Sequence, residues 1–313
     1  MKANNFDEVI EYISMVLLQK IKKEFLKLEV AHSGEQNYTK PTLAIITASY
    51  DEASKIYVRN KIKKAEQVGI EVRHFDLNIE TTSTEEICNL IKSLDKLGYT
   101  GIMVQLPLDK KFDERKIIES IPPEKDVDGL TARQRIMLDD NDDNALIPCT
   151  ALAVYSLIAF QQIKHESFFR FSDFDNLLSK DLSGVRVLVI NRSKLIGIPL
   201  SKLLRNKNAT VTVAHSRTDL MDINNYLDFC SVVFPYIVTG IGKHVINGSC
   251  FKSFQTVIDC GITKDENGKL KRDIIINERD CFHYFGAVGK LTTTMLMLNL
   301  LKAYKLQNDY EDE

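Results

Sequence analysis

A serine, a tyrosine and a lysine at positions 54, 57 and 61 fall at i, i+3 and i+7 of a stretch whose pattern predicts a helix over residues 51–68. That spacing puts a hydroxyl, a phenol and an amine on one helix face. The same stripe on a solvent-facing helix would do no chemistry, so it acquires meaning only with its neighbours. Further candidates lie downstream. Gln105 stands near the C-terminal end of a strand predicted over 101–108, where open α/β sheets carry their ligands. Asp126 and Asp128 sit in the turn-rich segment 122–130, and loops that follow strand ends are where sites are built.

A second kind of chemistry is written into residues 184–204. The mostly β-branched run 185–190 fits a strand buried on both faces of a parallel sheet. A polar turn, Asn191-Arg192-Ser193-Lys194, leads into helical spacing at Ile196, Leu200, Leu203 and Leu204, with Gly197 and Pro199 near the helix start. A strand, tight turn and helix in that order present backbone N–H groups to a dinucleotide pyrophosphate. The usual G-x-G-x-x-G is absent, because Asn191 and Ser193 occupy the places of its first two glycines. The next strand, 209–214, ends in His215-Ser216-Arg217-Thr218, with no carboxylate before Asp219. An acid there would bind the free ribose hydroxyl of NAD. Arg192, Ser216 and Arg217 suit a 2′-phosphate instead, so NADP is the expected cofactor and NAD the less favoured one.

The chain has 313 residues, enough for two domains. Its 44% hydrophobic and 27% charged content is ordinary for a globular protein, and a net charge of −2 gives no reason to expect nucleic-acid binding. The six cysteines form no C-x-x-C pair, which suits a reducing compartment and predicts neither a structural disulfide nor a metal site. Early acids argue against a targeting peptide, and no apolar run is long enough to span a membrane, so a cytoplasmic location is expected.

The positioning elements follow in order. Residues 6–30 read as an amphipathic helix burying Ile10, Ile13, Val16, Leu17 and Ile21. Strands at 42–47, 71–77 and 101–108 alternate with helices at 51–68, 84–97 and 113–121. A helix through 147–163 and a connector at 165–180 lead to the nucleotide segment. Further strands are predicted at 231–238 and 256–262, ending at Thr239-Gly240 and Gly261-Ile262, where small residues permit close approach to a ligand. An exposed turn at 264–271, a glycine-containing loop at 285–290 and an apolar helix from 291 complete the chain. A Tyr-x-x-x-Lys pair such as Tyr57 and Lys61 also serves short-chain dehydrogenases, but there it follows the nucleotide loop, and here it precedes it.

Taken together, Tyr57-Val-Arg-Asn-Lys61, Val104-Gln-Leu-Pro-Leu108, Pro123-Glu-Lys-Asp-Val-Asp-Gly-Leu130, Pro148-Cys-Thr150, Arg192-Ser193 with Gly197 and Pro199, His215-Ser-Arg-Thr218, Thr239-Gly240 and Ile258-Asp-Cys-Gly-Ile262 carry a resemblance. In this order and spacing the chain resembles the methylenetetrahydrofolate dehydrogenase/cyclohydrolase family from about residue 8 to 305. The resemblance implies two α/β domains, the C-terminal one a Rossmann-like parallel sheet, with a cleft between them, and a homodimer. Residues 1–150, completed by helix 291–308, would bind folate, and residues 151–290 would bind NAD(P). Tetrahydrofolate derivatives would be the substrates. A hydride would leave the one-carbon bridge for the nicotinamide, and water would then open the resulting methenyl cation to 10-formyltetrahydrofolate.

By the same resemblance Lys61 is the catalytic amine of the hydrolytic step, its basicity depending on a lowered pKa. Gln105 positions it, Tyr57 stacks on the substrate, Asp128 accepts from the donor edge of the pterin, and Ser54, Gly286 and Val288 complete the folate contacts. Asn191, Arg192, Ser193, Gly197, His215, Ser216, Arg217, Thr239, Gly240, Gly261 and Ile262 line the cofactor. Three departures stand out: Asn191 where the family has Gly, Ala151 and Ala153 after Pro-Cys-Thr, and Phe285-Gly-Ala-Val-Gly-Lys290 where it is close to Pro-Gly-Gly-Val-Gly-Pro. The altered turn and loop are more like a dehydrogenase-only branch, but that branch lacks the lysine present here as Lys61. A dehydrogenase without hydrolase activity and a non-catalytic NADP- or folate-binding protein therefore stay open as alternatives.

Overall fold

The structure, a computed structural model, describes residues 4–32, 39–166, 176–218, 224, 227, 233–266 and 268–310. The chain divides into two compact units, one holding Met15–Cys149 and Thr293–Glu313, the other Met1–Ser14 and Thr150–Thr292.

In the first unit, β2 (Thr42–Thr47), β3 (Glu71–Asp76) and β4 (Gly101–Val104) form a parallel sheet in the order β3-β2-β4. Strand β1 (Asn4–Asn5) belongs to the other unit. Strands β2 and β4 are almost wholly buried, whereas the edge strand β3 is largely exposed and carries charge, which discourages further pairing. Helix α2 (Glu52–Gln67) joins β2 to β3, and α3 (Thr84–Lys96) joins β3 to β4. Helix α3 buries Ile87, Cys88, Ile91 and Leu94 against Ala44, Ile46, Ile102 and Val104 of the sheet. A capping box starts it: Ser83 accepts from the Glu86 amide and Glu86 reaches back to the Ser83 amide.

The strand expected over 101–108 ends at Val104. Pro107 has no N–H to offer a ladder, so Gln105 lies one residue beyond the strand. Helix α4 is shorter than expected, Glu114–Ile118. Helix α5 (Ala132–Asp139) went unread because its face is mostly polar; Thr131 caps it by accepting from the Gln134 amide.

In the second unit, α6 (Cys149–Glu166) precedes β5 (Arg186–Ile190), α7 (Gly197–Asn206) and β6 (Thr210–Ala214). The sheet continues with β7 (Tyr236–Thr239), β9 (Thr256–Asp259) and β13 (His283–Phe285), in the order β1-β13-β9-β7-β5-β6, every pair parallel. This is the expected Rossmann-like parallel sheet. Its core gathers Leu188, Ile190, Ile237, Val257 and Phe282. Strand β7 starts later than expected, after Pro235, and residues 231–232 of the expected strand lie outside the described residues. The expected strand 256–262 ends at Asp259. Short pairs β8 (Ile246–Asn247) with β12 (Ile274–Ile275), and β10 (Thr263–Lys264) with β11 (Leu270–Lys271), flank it; the latter is a small hairpin where a turn was expected. Residues 167–175 of the expected connector lie outside the described residues.

The sheet's first strand, β1 (Asn4–Asn5), pairs in parallel with β13. Strand β1 thus joins the nucleotide-type sheet and residues 4–14 group with this unit, where the sequence-based division kept 1–150 together. Helix α1 (Asp7–His32) runs on from this strand, with Asp7 and Glu8 in its first turn. Four of the six residues of the expected 285–290 loop are regular structure: β13 runs to Phe285, and the last helix, α8 (Val288–Gln307), begins three residues before the expected start.

Candidate active site

Helix α2 carries Ser54, Tyr57 and Lys61 on one face as its spacing requires; Ser54 and Lys61 are buried and Tyr57 is half-buried. The Lys61 amine points at the end of β4. Its Nζ donates to Gln105 Oε1 at 2.8 Å and lies 3.5 Å from Met103 Sδ. Gln105 is fixed in turn. Its backbone N–H donates to the Ile46 carbonyl at 2.9 Å, and its Nε2 donates to the Leu106 carbonyl at 2.6 Å, which leaves the amide oxygen facing the lysine. Burial pulls the Lys61 pKa below its ordinary value, and the negative charge of Asp128 works against the fall. Ser54 Oγ donates to Asp51 Oδ2 at 3.3 Å.

Asp128 sits in a turn with little freedom. Asp126 forms an isolated parallel bridge with Ile102, and its Oδ2 accepts from the Thr131 amide at 2.7 Å. Gly129 has φ 69°, and a Cβ there would stand 2.3 Å from the Leu146 carbonyl oxygen, so the position suits glycine. Cys149 packs beneath, donating weakly from Sγ to the Val127 carbonyl at 3.5 Å. Burial, then the charge of Asp128, pushes its thiol pKa well up, so it stays protonated. Burial likewise pushes the Asp126 carboxyl up to about 6, more than its hydrogen bonds with Thr131 hold it down. Cys149 was not singled out as a site residue by sequence reasoning, although it lies within a motif it quoted; Asp126 was noted beside Asp128 but given no role.

In the other unit Asn191 organises the turn after β5. Its Nδ2 donates to the Gly240 carbonyl, and its Oδ1 accepts from the amides of Ser193 at 2.6 Å and Gly197 at 3.0 Å. Ser193 Oγ accepts from the Ile196 amide at 3.1 Å. A Cβ on Gly197 would lie 2.1 Å from the Asn191 carbonyl oxygen, so helix α7 enters too close to the strand end for any larger residue. Beside this turn is a cavity of about 280 Å³ with Arg192, Lys202 and Arg205 around an apolar floor of Val211 and Val213. His215 lies at the end of β6, where its amide donates to Thr218 Oγ1 at 2.8 Å and its Nδ1 accepts from the Arg217 amide at 3.1 Å. Ser216 and Arg217 are exposed.

Thr239 is buried and donates to Asp259 Oδ1 at 3.2 Å; the Gly261 amide donates to the same oxygen at 2.9 Å. Asp273, also buried, accepts from the amides of Ile241, Gly242 and Lys243 at 2.6, 2.8 and 3.0 Å. This second carboxylate shapes the loop after Gly240. The only sequence signal for the pair was an acid at the end of an apolar strand, Asp259. Ile262 is partly exposed.

Gly286 and Val288 are placed differently from the open loop that was expected. Asp7 Oδ1 accepts from the Gly286 and Ala287 amides at 3.1 and 3.0 Å, and Lys290 pairs with Glu11. The Phe6 amide donates to the Tyr284 carbonyl at 3.0 Å, and the Phe6 ring stacks on Phe285 with centroids 5.5 Å apart. The Val288 side chain is buried in the first turn of α8, so a contact to a ligand there would come from the backbone.

Two expectations follow from this geometry. Asn191→Ala leaves the Gly240 carbonyl and two amides without their partner, and should destabilise the fold by about 1–3 kcal/mol in urea melts; stability equal to the parent would mean the turn holds itself. For Asp126, the unfolded chain ionises as pH passes the ordinary 3.8, while the folded group resists until about 6. Its contribution therefore favours folding at low pH and is lost as pH rises through 6. Asp126→Asn should gain stability relative to the parent between pH 4 and 7, on the order of 3 kcal/mol, measured by denaturant titration at both pH values. A pH-independent difference would refute the shift.

Comparison with known proteins agrees with both halves. The model for the tetrahydrofolate dehydrogenase/cyclohydrolase catalytic domain matches residues 14–128, and that for the NAD(P)-binding domain of the same family matches residues 175–308. A relative named bifunctional protein FolD, from Staphylococcus haemolyticus, is 36% identical over 303 residues, which is 92% of this chain and 95% of the relative. The solved bifunctional FolD methylenetetrahydrofolate dehydrogenase/cyclohydrolase of Campylobacter jejuni superposes with a TM-score of 0.80 at 27% identity, covering 97% of this chain and 99% of that one. The Trypanosoma brucei dehydrogenase-cyclohydrolase, solved with NADP and an inhibitor, gives 0.78 at 26% identity over 98% and 97%. By sequence, fold and the placing of its motifs, this chain belongs to the tetrahydrofolate dehydrogenase/cyclohydrolase family.

Proposed function

We propose that this chain oxidises 5,10-methylenetetrahydrofolate to 5,10-methenyltetrahydrofolate with NADP and hydrolyses the product to 10-formyltetrahydrofolate. The observation that carries the reading is the buried Lys61 amine, held at 2.8 Å by Gln105 within the electrostatic reach of Asp128. A site that had lost its hydrolytic step would have no use for a desolvated lysine. That favours the bifunctional reading over the dehydrogenase-only one, despite the altered loop at 285–290.

The residues present fit the cofactor: a helix start at Gly197, a turn built by Asn191, and cationic walls from Arg192, Lys202 and Arg205 suit a phosphate-rich ligand. NADP, when bound, accepts the hydride. The protein's part in that step is alignment, since hydride transfer needs no acid or base. We assign cofactor contacts to Asn191, Arg192, Ser193, Gly197, His215, Ser216, Arg217, Thr239, Gly240, Gly261 and Ile262.

For folate, Tyr57 stacks on the ring system, Asp128 accepts from the pterin edge, and Ser54 with the backbone of Gly286 and Val288 completes the contacts. In the hydrolytic step water adds to the methenyl carbon and gives up a proton to the neutral Lys61 amine. The C–N5 bond then breaks as the protonated Lys61 amine returns its proton to N5 and the remaining hydroxyl proton leaves to solvent, so that the carbon becomes the formyl group on N10. Burial favours the neutral amine over the ammonium, and Gln105 keeps Nζ from turning away. Asp128 thus limits how far the lysine's pKa can fall while it also binds substrate.

Among the described residues no helix is long and apolar enough to cross a membrane. We place the protein in the cytoplasm as a homodimer; light scattering of the purified chain tests the dimer.

The deciding experiment follows methenyltetrahydrofolate absorbance, first its formation from methylenetetrahydrofolate with NADP or NAD, then its decay alone against a blank. Formation with accelerated decay supports both activities; formation without it leaves the dehydrogenase; neither leaves a non-catalytic binder. Lys61→Ala should reduce the accelerated decay at least about a hundredfold while retaining part of the hydride transfer. Equal loss of both would remove the role given to the amine. Arg192→Ala should raise the KM for NADP about tenfold or more and change that for NAD little. A matched rise would place recognition of the 2′-phosphate elsewhere.

A further inference from the structure

Asn299 lies on α8, on a face otherwise made of Met295, Leu296 and Leu300, and it is almost fully buried. A buried side-chain amide in such company needs partners. Its two are main-chain carbonyls from separate segments: Nδ2 donates to Val127 O at 2.9 Å and to Ile147 O at 2.8 Å. The same nitrogen stands 3.6 Å from Cys149 Sγ, whose thiol also donates to Val127 O. One amide therefore joins the residue before Asp128 to the strip of chain against which Gly129 packs without room for a Cβ.

We infer that Asn299 is a positioning residue for the folate site: by fixing the Val127 and Ile147 carbonyls it sets where the Asp128 carboxylate stands relative to Lys61. This rests on the reading of Asp128 as the pterin acceptor. Asn299 reaches no substrate itself. Its effect passes through the backbone on either side of Gly129, because a turn hemmed in by the Leu146 carbonyl cannot shift at Val127 without moving Asp128. The direction of Lys61's pKa fits this, since Asp128 is the main influence opposing its fall.

The test uses the full chain and isothermal titration with tetrahydrofolate and, separately, NADP. Asn299→Leu keeps the branch at Cγ and the number of heavy atoms and removes both donors; it should raise the Kd for tetrahydrofolate about tenfold and leave that for NADP within about twofold. Asn299→Ser, which keeps one hydroxyl donor and serves if the leucine variant folds poorly, should fall between. In an Asp128→Asn background Asn299→Leu should add less than about twofold, because the group it positions has already lost its charge. Equal weakening of both ligands, or an unchanged tetrahydrofolate Kd, overturns the inference. So does a full tenfold loss in the Asp128→Asn background; if that background binds too weakly to titrate, the two-ligand comparison decides. Failure of the parent chain to bind tetrahydrofolate at all would overturn the proposed function instead.

Discussion

A lysine amine withdrawn from water is the constraint from which the catalytic unit is built. An ammonium in a poorly hydrated place is costly unless it finds charge and hydrogen bonds, and Lys61 has been given limited supplies of both: one amide oxygen at 2.8 Å, a polarisable sulfur, and a carboxylate acting at a distance. More support would hold the proton permanently; less would leave the amine unpartnered. The details around it maintain that balance. Gln105 is locked by its own backbone and side-chain bonds, so its oxygen cannot rotate away. Asp128 is carried on a turn that Gly129 allows and Asp126 anchors. The parallel sheet β3-β2-β4 supplies the rigid floor from which both the amide and the turn project.

The nucleotide turn solves a different problem by two opposite means. Where a glycine would let the backbone come close to a pyrophosphate, this chain has Asn191, whose side chain ties the turn to the start of α7 and to the neighbouring strand end. Where the helix meets the strand, nothing but hydrogen fits, and Gly197 provides it. The first device adds hydrogen bonds to the turn; the second brings the helix N-terminus within reach of a ligand. Farther along, Asp273 gathers three successive amides and so does for the loop after Gly240 what Asn191 does for the turn after β5.

Much of this was legible because it obeys short-range rules. The i, i+3, i+7 stripe of α2 put Ser54, Tyr57 and Lys61 on one face, and the apolar run of β5 announced a buried parallel strand. The strand before Gln105 was overdrawn, since apolar character continues through Leu108 while Pro107 cannot join a ladder. Helix α5 escaped notice because Ala132–Asp139 has no apolar stripe and is held by its cap and by bonds from Gln134 to distant backbone. Asn299 gave no signal at all. A single amide in an apolar helix has no motif, and its meaning comes from carbonyls 152 and 172 positions away. The hold of Asp7 on the Gly286 and Ala287 amides was hidden for the same reason, and it turns an apparently open loop into an anchored one.

That anchoring reaches across the chain. Asp7 and Gly286 are separated by 279 positions, and among the described residues β1 pairs with β13 alone. As the polypeptide leaves the ribosome, residues 4–7 are exposed long before the strand that will receive them has been made. The parallel core from β5 to β9 can assemble in the meantime, because its pairings are local by comparison. The outer edge of this sheet must then close late, as one of the last steps in making the molecule, and until it does that edge remains open to pairing with other chains.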